Sequence, residues 1–428
     1  MLAVVLILFL VLLLGGFPIV AAMGIPSLLY VIVEGLPPST MAYSIFQSLN
    51  SFPLVASPLF ILMGCLINNF GETTNLFNFC RVLMRNAKGY TAKVNIIVSL
   101  IFAGMSGAAV ADIGGLGQIE IKAMEDEGFS REYAAALSAA TSMVGPIFPP
   151  SIPLLIYAVL AQTSSLGCLM AGMLPAFVIV IVMYIFVSIQ CRTKLKPRPV
   201  AAGAPVPSAP KESLWQATKQ ALHVLILIPA IIVAMLGGVC SPSEAGAAAV
   251  LYILVAEAIK GKFSFKILKN SIIETYKTIC NIFLIIGVAA FFTKVLTLEH
   301  FPEMVTSAFL GMAEHPAMIL LLINILVLLV GMFMETISSL TILTPILLPV
   351  ATAIQVDPIH LGVILVLNLT IGMLTPPFGV GLYTVATVGN VPAVKVLKEL
   401  LPLYVPLLVA LLIVTYVPPL TTLLPSLL

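Results

Sequence analysis

A small alkali cation is held by oxygen atoms, and two stretches of this chain have the residues to supply them. In the first, Ser106 and Asp112 lie in GMSGAAVADIGG, which starts at Gly104, and Gly145 opens a GPIFPPS segment holding Phe148, Pro149, Pro150 and Ser151. In the second, Glu335, Thr336, Ser338 and Ser339 follow Gly331, and Gly372 precedes Thr375, Pro376, Pro377 and Phe378. Proline removes its own N–H and frees the carbonyl four residues back, while glycine admits the unusual dihedrals of an unwound helix. Freed carbonyls at such a break are the ligands a cation needs inside a membrane. The two stretches keep a constant offset of 227 positions (331 − 104, 372 − 145, 376 − 149). One proline would mean only a kinked helix. Two breaks in register, each preceded by a Gly- and Ser-rich turn, point to a paired cation site in two related halves, a transporter pattern.

Single residues in these stretches read two ways. A carboxylate near mid-membrane costs about 2.5–3.5 kcal/mol, so Asp112 must face a cavity or a partner. It can bind a cation or relay a proton, or it can cap the second helix of its turn. Glu335 carries the same two readings. Thr141 and Asn368, also 227 apart, sit one turn before each break; either faces a cavity or bonds back to its own helix. His223, His300, His315 and His360 are dispersed and show no ligand spacing. Without a nucleophile–base set, phosphate loop or metal motif, an enzyme has no support.

The elements that must position these residues are apolar helices. Sixty per cent of the 428 residues are hydrophobic and 9% are charged, with mean hydropathy +1.15. Soluble proteins carry about 25% charged residues. This composition fits a lipid bilayer, and a net charge of +2 suggests no nucleic-acid partner. The six cysteines lie in or beside apolar runs without CxxC pairs, as small packing residues do. The opening MLAVVLILFLVLLLGG lacks a basic n-region, and its LLGG recurs as MLGG 222 residues on (235 − 13), so it reads as a retained first span.

The first half divides into spans 1–16 and 20–36, a polar-flecked stretch 38–50, and a span 51–70. A basic loop 81–93, an apolar pair 94–107 and 109–124, a span 131–160 broken at 145–153, and a span 167–190 follow. The second half gives 222–238, 244–260, an amphipathic basic stretch 262–277 suited to an interfacial helix, and 278–297. A pair 317–332 and 337–354, a span 359–390 broken at 372–379, and a last span 400–419 complete it. Members of each pair are too short to cross the bilayer and read as re-entrant hairpins, 94–124 and 317–354. The expectation is an all-α polytopic membrane protein with about ten crossings and two hairpins. Repeats 1–190 and 220–428 are joined by a Pro- and Lys-rich cytoplasmic linker, 191–219.

Lys and Arg cluster at 81–93, 122–131, 192–219, 260–277 and 395–398, which makes those segments cytoplasmic. Their counterparts at 308–320 and 168–171 hold none. A repeat that keeps its pattern but reverses its charge sidedness is inverted in the membrane, and five crossings per half produce that inversion. The N-terminus is then on the outer side. Lys294 interrupts an apolar run near the outer end of its span, where snorkelling accounts for it. Glu244 after Ser241-Pro242-Ser243 reads as a capping pattern, and Trp215 as an interfacial anchor.

The stretches GMSGAAVADIGGLGQIEIKAMEDEGF, GPIFPPSIPLLIYAV, GMF…TPILLPV and DPIHLGVILVLNLTIGMLTPPFGVGLYTV resemble the large membrane subunit of tripartite ATP-independent periplasmic (TRAP) transporters, over essentially the whole chain. That resemblance implies a Na⁺-driven elevator in the bacterial inner membrane, in which hairpins and broken helices slide against scaffold helices 1–70 and 222–297. It implies a small four-helix membrane subunit and a periplasmic substrate-binding protein. The cargo would be an organic acid anion, a C4-dicarboxylate or a sialic acid. By position, one Na⁺ site would involve Gly104, Ser106, Gly145, Phe148 and Ser151 with Asp112 close by. A second would involve Gly331, Gly372, Thr375 and Phe378. The substrate would lie between them, near Ser106, Pro149, Pro150, Thr336, Ser338, Pro376 and Pro377. Two other readings are a stand-alone Na⁺/carboxylate symporter of the same architecture, and a channel-like pore, which would conduct without saturation.

Overall fold

The computed structural model describes residues 1–84, 89–193, 213–313 and 315–428. Residues 194–212 of the expected linker lie outside that set. Among the described residues every regular element is helical.

The first half runs through α1 (Leu2–Leu14), α2 (Ile19–Val33), α3 (Ser39–Leu49), α4 (Ala56–Asn69), α5 (Glu72–Met84), α6 (Tyr90–Ser106), α7 (Ala109–Gly115), α8 (Gly117–Glu127), α9 (Arg131–Thr141), α10 (Ile152–Leu160), α11 (Ser165–Ala171) and α12 (Met173–Thr193). The second runs through α13 (Leu214–Leu236), α14 (Pro242–Ile259), α15 (Phe265–Leu298), α16 (Phe301–Met312), α17 (Pro316–Gly331), α18 (Thr336–Ala353), α19 (Pro358–Gly372), α20 (Val380–Val388), α21 (Ala393–Leu400) and α22 (Tyr404–Tyr416). The helix pattern recurs between halves: α7 and α18 start at 109 and 336, and α9 and α19 start at 131 and 358, both 227 apart.

Local sequence explains most boundaries. Ser241 and Glu244 form the capping box of α14, with Pro242 in its first turn. Asp357 accepts from the amides of Ile359 and His360 at 2.7 and 3.3 Å to start α19. Between α6 and α7 the chain bends by 116° at Gly107, whose φ of +61° suits glycine.

Three expectations change. The stretch 262–277 is not a separate interfacial helix: α15 is one unbroken helix of 34 residues. At about 51 Å it outruns a hydrocarbon core of about 30 Å, so its lysine-rich start projects beyond the lipid tails. Its counterpart in the first half is divided into α3, a short 3-10 turn at Phe52–Val55, and α4. The polar-flecked stretch 38–50 forms α3 over Ser39–Leu49, and of the expected basic loop 81–93, Arg81 and Lys93 lie in helices while 85–88 are outside the described residues. Finally, among the described residues seven helical segments are long and apolar enough to cross a bilayer, one of them α18, a hairpin arm expected to be too short, while α1, α2, α17 and α19 are shorter. Of the ten expected crossings, the two broken ones are each assembled from two short helices, and the first two are the short α1 and α2.

Candidate functional site

In the first half the hairpin turn is pressed onto the break that follows it. The Ser106 hydroxyl donates to Asp112 Oδ1, and both residues are buried. Asp112 Oδ2 has no hydrogen-bond partner among the described residues. It faces Gly145: a Cβ built there would lie 2.4 Å from it. The Ile152 amide donates to the Gly107 carbonyl at 3.4 Å, and a Cβ on Gly107 would meet the Pro150 carbonyl at 2.4 Å. Ser151 caps α10 through the Leu154 amide at 3.1 Å and donates to the Pro146 carbonyl. A Cβ on Gly104 would come within 3.3 Å of the Phe148 ring. All six predicted ion-site residues of this half, with Pro149 and Pro150, are therefore gathered and buried.

The second half repeats the arrangement with different contacts. Gly331 and Gly372 meet backbone to backbone, and a Cβ on Gly372 would lie 2.7 Å from Gly331 Cα. The Phe378 amide donates to the Met332 carbonyl at 3.3 Å, and their neighbours Phe333 and Phe378 hold ring centroids 5.8 Å apart. Thr375 donates to Ile371 at 3.3 Å, within its own helix end, and Tyr404 reaches the Leu374 carbonyl at 2.7 Å. Thr336 donates to Met373 Sδ, and Ser338 is buried beside it. Here Pro377 and Phe378 are exposed, whereas the first break is enclosed throughout. Both Pro149–Pro150 and Pro376–Pro377 are cis.

The two-way readings resolve differently. Glu335 is the cap of α18, accepting from Ile337 and Ser338 at 3.0 and 3.3 Å. Asp112 does not cap: it lies inside α7, whose cap position is Ala108. Thr141 and Asn368 both turn to the first arm of their hairpin, and Thr141 also bonds back to its own helix at the Leu137 carbonyl, 3.1 Å away. Thr141 donates to Asn95 Oδ1 at 2.6 Å, and Asn368 Nδ2 donates to Asn324 at 2.8 Å. Asn95 also donates to Glu120 Oε2 at 3.0 Å and Ser138 at 2.7 Å, a buried network that the sequence reading missed. The signal was there, since Asn95 and Ser99 share one face of an otherwise apolar helix.

The hairpins are interleaved with the breaks of both halves. Ile152 and Ile156 of α10 share a buried cluster with Ile337 of α18, which places the starts of these helices side by side. Elsewhere, Glu72, His223 and Glu257 bring ligand-type atoms within 4.8 Å of one another, although the sequence had shown His223 alone. Lys260 Nζ lies among them, 2.9 Å from Glu72 and 2.8 Å from Glu257, so an ammonium already supplies the positive charge.

A family model described as "Tripartite ATP-independent periplasmic transporter, DctM component" matches residues 6–420. The chain belongs to this family. It is 36% identical over 387 residues to the Vibrio cholerae sialic acid TRAP transporter large permease protein SiaM, covering 90% of this chain and 89% of that one. It is 30% identical over 395 residues to the C4-dicarboxylate TRAP transporter large permease protein DctM of Pseudomonas aeruginosa, covering 90% and 89%. The solved Alcanivorax borkumensis YdaH transporter superposes with a TM-score of 0.63 at 16% identity, covering 89% of each chain, a likeness of fold. This DctM-family chain is thus a multi-pass membrane transporter component and not an enzyme.

Proposed function

We propose that this DctM-family permease couples Na⁺ entry to import of an organic acid anion, a sialic acid or a C4-dicarboxylate. It would work in the bacterial inner membrane beside a small membrane subunit and a periplasmic binding protein, with its N-terminus outside. The observation that carries the ion coupling is Asp112 Oδ2, a buried carboxylate oxygen with no hydrogen-bond partner, aimed at the glycine of an unwound helix. A bare carboxylate in an apolar interior needs a cation or a proton, and Ser106 and the carbonyls beside Gly145 complete an oxygen-only donor set that suits Na⁺. The break at Gly372, held against Gly331, offers a second set of carbonyls with Thr375. The acid would lie between the two, where α10 and α18 begin side by side and their helix dipoles favour negative charge.

Elevator motion is supported by where the protein is open. A cavity of about 740 Å³ separates α3 and α15 from α10 and the start of α11, along the seam on which a mobile unit would slide. The outward N-terminus is supported by the Leu2 amide and the Tyr30 hydroxyl. Both donate to Glu299, at the end of α15 opposite its basic start at Lys266 and Lys269. The test is uptake of N-acetylneuraminate and of succinate into vesicles holding this chain with both partner proteins, with and without a Na⁺ gradient. Uptake that needs the gradient is expected, and Na⁺-independent uptake of either acid would remove the coupling. Uptake by the chain alone would replace the three-part reading with a stand-alone symporter.

A further inference from the structure

The cavity between α3 and α15 on one side and α10 and α11 on the other has polar walls. Gln47 and Ser48 of α3, Thr293 and Thr297 of α15, and Gln162 and Thr163 after α10 all line it. One lining residue is charged, Lys294, and no lining residue is acidic. On α15 the lining positions Ile286, Ala290, Thr293, Lys294 and Thr297 form one helical stripe, so the lysine belongs to the face turned toward the cavity. The sequence expectation of snorkelling considered only the helix end, and the structure adds a cavity that the ammonium lines. Lys294 is exposed and has no hydrogen bond or ion pair among the described residues. It stands about 38 Å along the helix from Lys269 in the basic start of α15, so the cavity opens at the far end from that cluster. Exposed Gln162 and Thr297 place its mouth at the surface.

A lone ammonium in a cleft with low-dielectric walls focuses its field into the cleft and raises the local concentration of anions. The surrounding hydroxyls and amides are neutral donors and acceptors, suited to the remaining oxygens of a hydrated polar solute. We propose that Lys294 makes this cavity an anion-gathering vestibule, which holds the carboxylate of the organic acid before the acid reaches the hairpin turns. This rests on the transport reading above. Because Lys294 remains hydrated and unpaired, its grip on a carboxylate is weak and rapidly released, as a waiting position requires.

The experiment has two arms that fail separately. In the first, Thr297→Cys in the full chain is reacted with an anionic and a cationic methanethiosulfonate, over the background of the native cysteines. With Lys294 in place the anionic reagent is favoured. Lys294→Gln should lower the anionic-to-cationic rate ratio about fivefold, Lys294→Glu should invert the preference, and high salt should erase the difference. An unchanged ratio in Lys294→Gln overturns the vestibule. In the second arm, uptake of N-acetylneuraminate and succinate is measured with both partner proteins. Lys294→Gln should raise KM about three- to tenfold with the maximal rate kept, and Lys294→Arg should restore it. A changed thiol ratio with unchanged KM overturns the role toward substrate. If the parent transports neither acid, the transport reading fails, and the substrate role falls with it.

Discussion

At the scale of single residues, the chemistry concentrates in oxygens that folding has left short of partners. Ser106→Ala takes away one donor atom and the hydrogen bond to Asp112, and bonds to charged groups contribute about 1.5–3 kcal/mol. At about 1.4 kcal/mol per factor of ten, the Na⁺ concentration giving half-maximal uptake should rise about tenfold or more. A Na⁺ titration of uptake at constant expression checks this; an unaltered half-saturation would remove Ser106 from the ion site. Gly372→Ala drives a methyl to 2.7 Å from Gly331 Cα. Neither backbone can yield without opening the break, so overpacking should cost about 1–3 kcal/mol and abolish uptake, read together with the melting temperature in detergent. These glycines and prolines were legible because helix breakers in apolar runs are rare and their offset is constant. Asp112 was legible as chemistry but not as geometry, since whether a carboxylate sits before a helix or inside it depends on where the preceding turn closes. That Lys294 also lines a cavity was not legible for a related reason. A sequence shows which residues share a helix face but not what that face looks upon.

At the scale of elements, the helices that frame the site are tied together by charge at one end. Glu72 opens α5 outside the candidate spans and meets Lys260, His223 and Asn75. Burial raises its carboxyl, but hydrogen bonds from Lys260 and Asn75 and the nearby His223 outweigh it and hold the group below the usual carboxylate range. A lowered folded value means the stabilisation is present above the unfolded value of about 4.3 and is lost as pH falls through the folded one. The parent should therefore melt above Glu72→Gln at pH 7, and the gap should close as pH is taken below about 4. A gap that is constant with pH would show that ionisation of Glu72 contributes nothing. This tie was not legible, because its members lie up to 188 positions apart on three helices, with none of the spacing that marks a local motif. By contrast the ends of α14 and α19 were readable, since Ser241 and Asp357 cap within three residues of themselves.

At the scale of the whole molecule, the repeat was the most readable feature and its orientation the least. The constant offset follows from residues that packing and backbone geometry dictate, such as Gly331 against Gly372. Sidedness rests on where Lys and Arg fall, and most of those residues lie outside the packed contacts that set the repeat. Lys262→Cys and His300→Cys bracket the unbroken α15 and are both exposed. In sealed, right-side-out vesicles an impermeant thiol reagent should modify His300→Cys and spare Lys262→Cys until the membrane is permeabilised. Modification of both from one side would remove the crossing by α15 and the topology built on it.

The halves are alike in order but unlike in stiffness. Where one has a continuous rod of 34 residues, the other has two helices and a turn, and one break is sealed while its twin is open to the surface. In the proposed elevator, perfect twins would give the inward- and outward-facing forms the same energy; unlike halves lift that constraint. Under the coupling proposed above, such a bias would leave the final accumulation ratio untouched, because the ion and solute gradients fix that. It would set instead how fast the empty carrier returns, and hence how unequal the rates of filling and emptying a cell become.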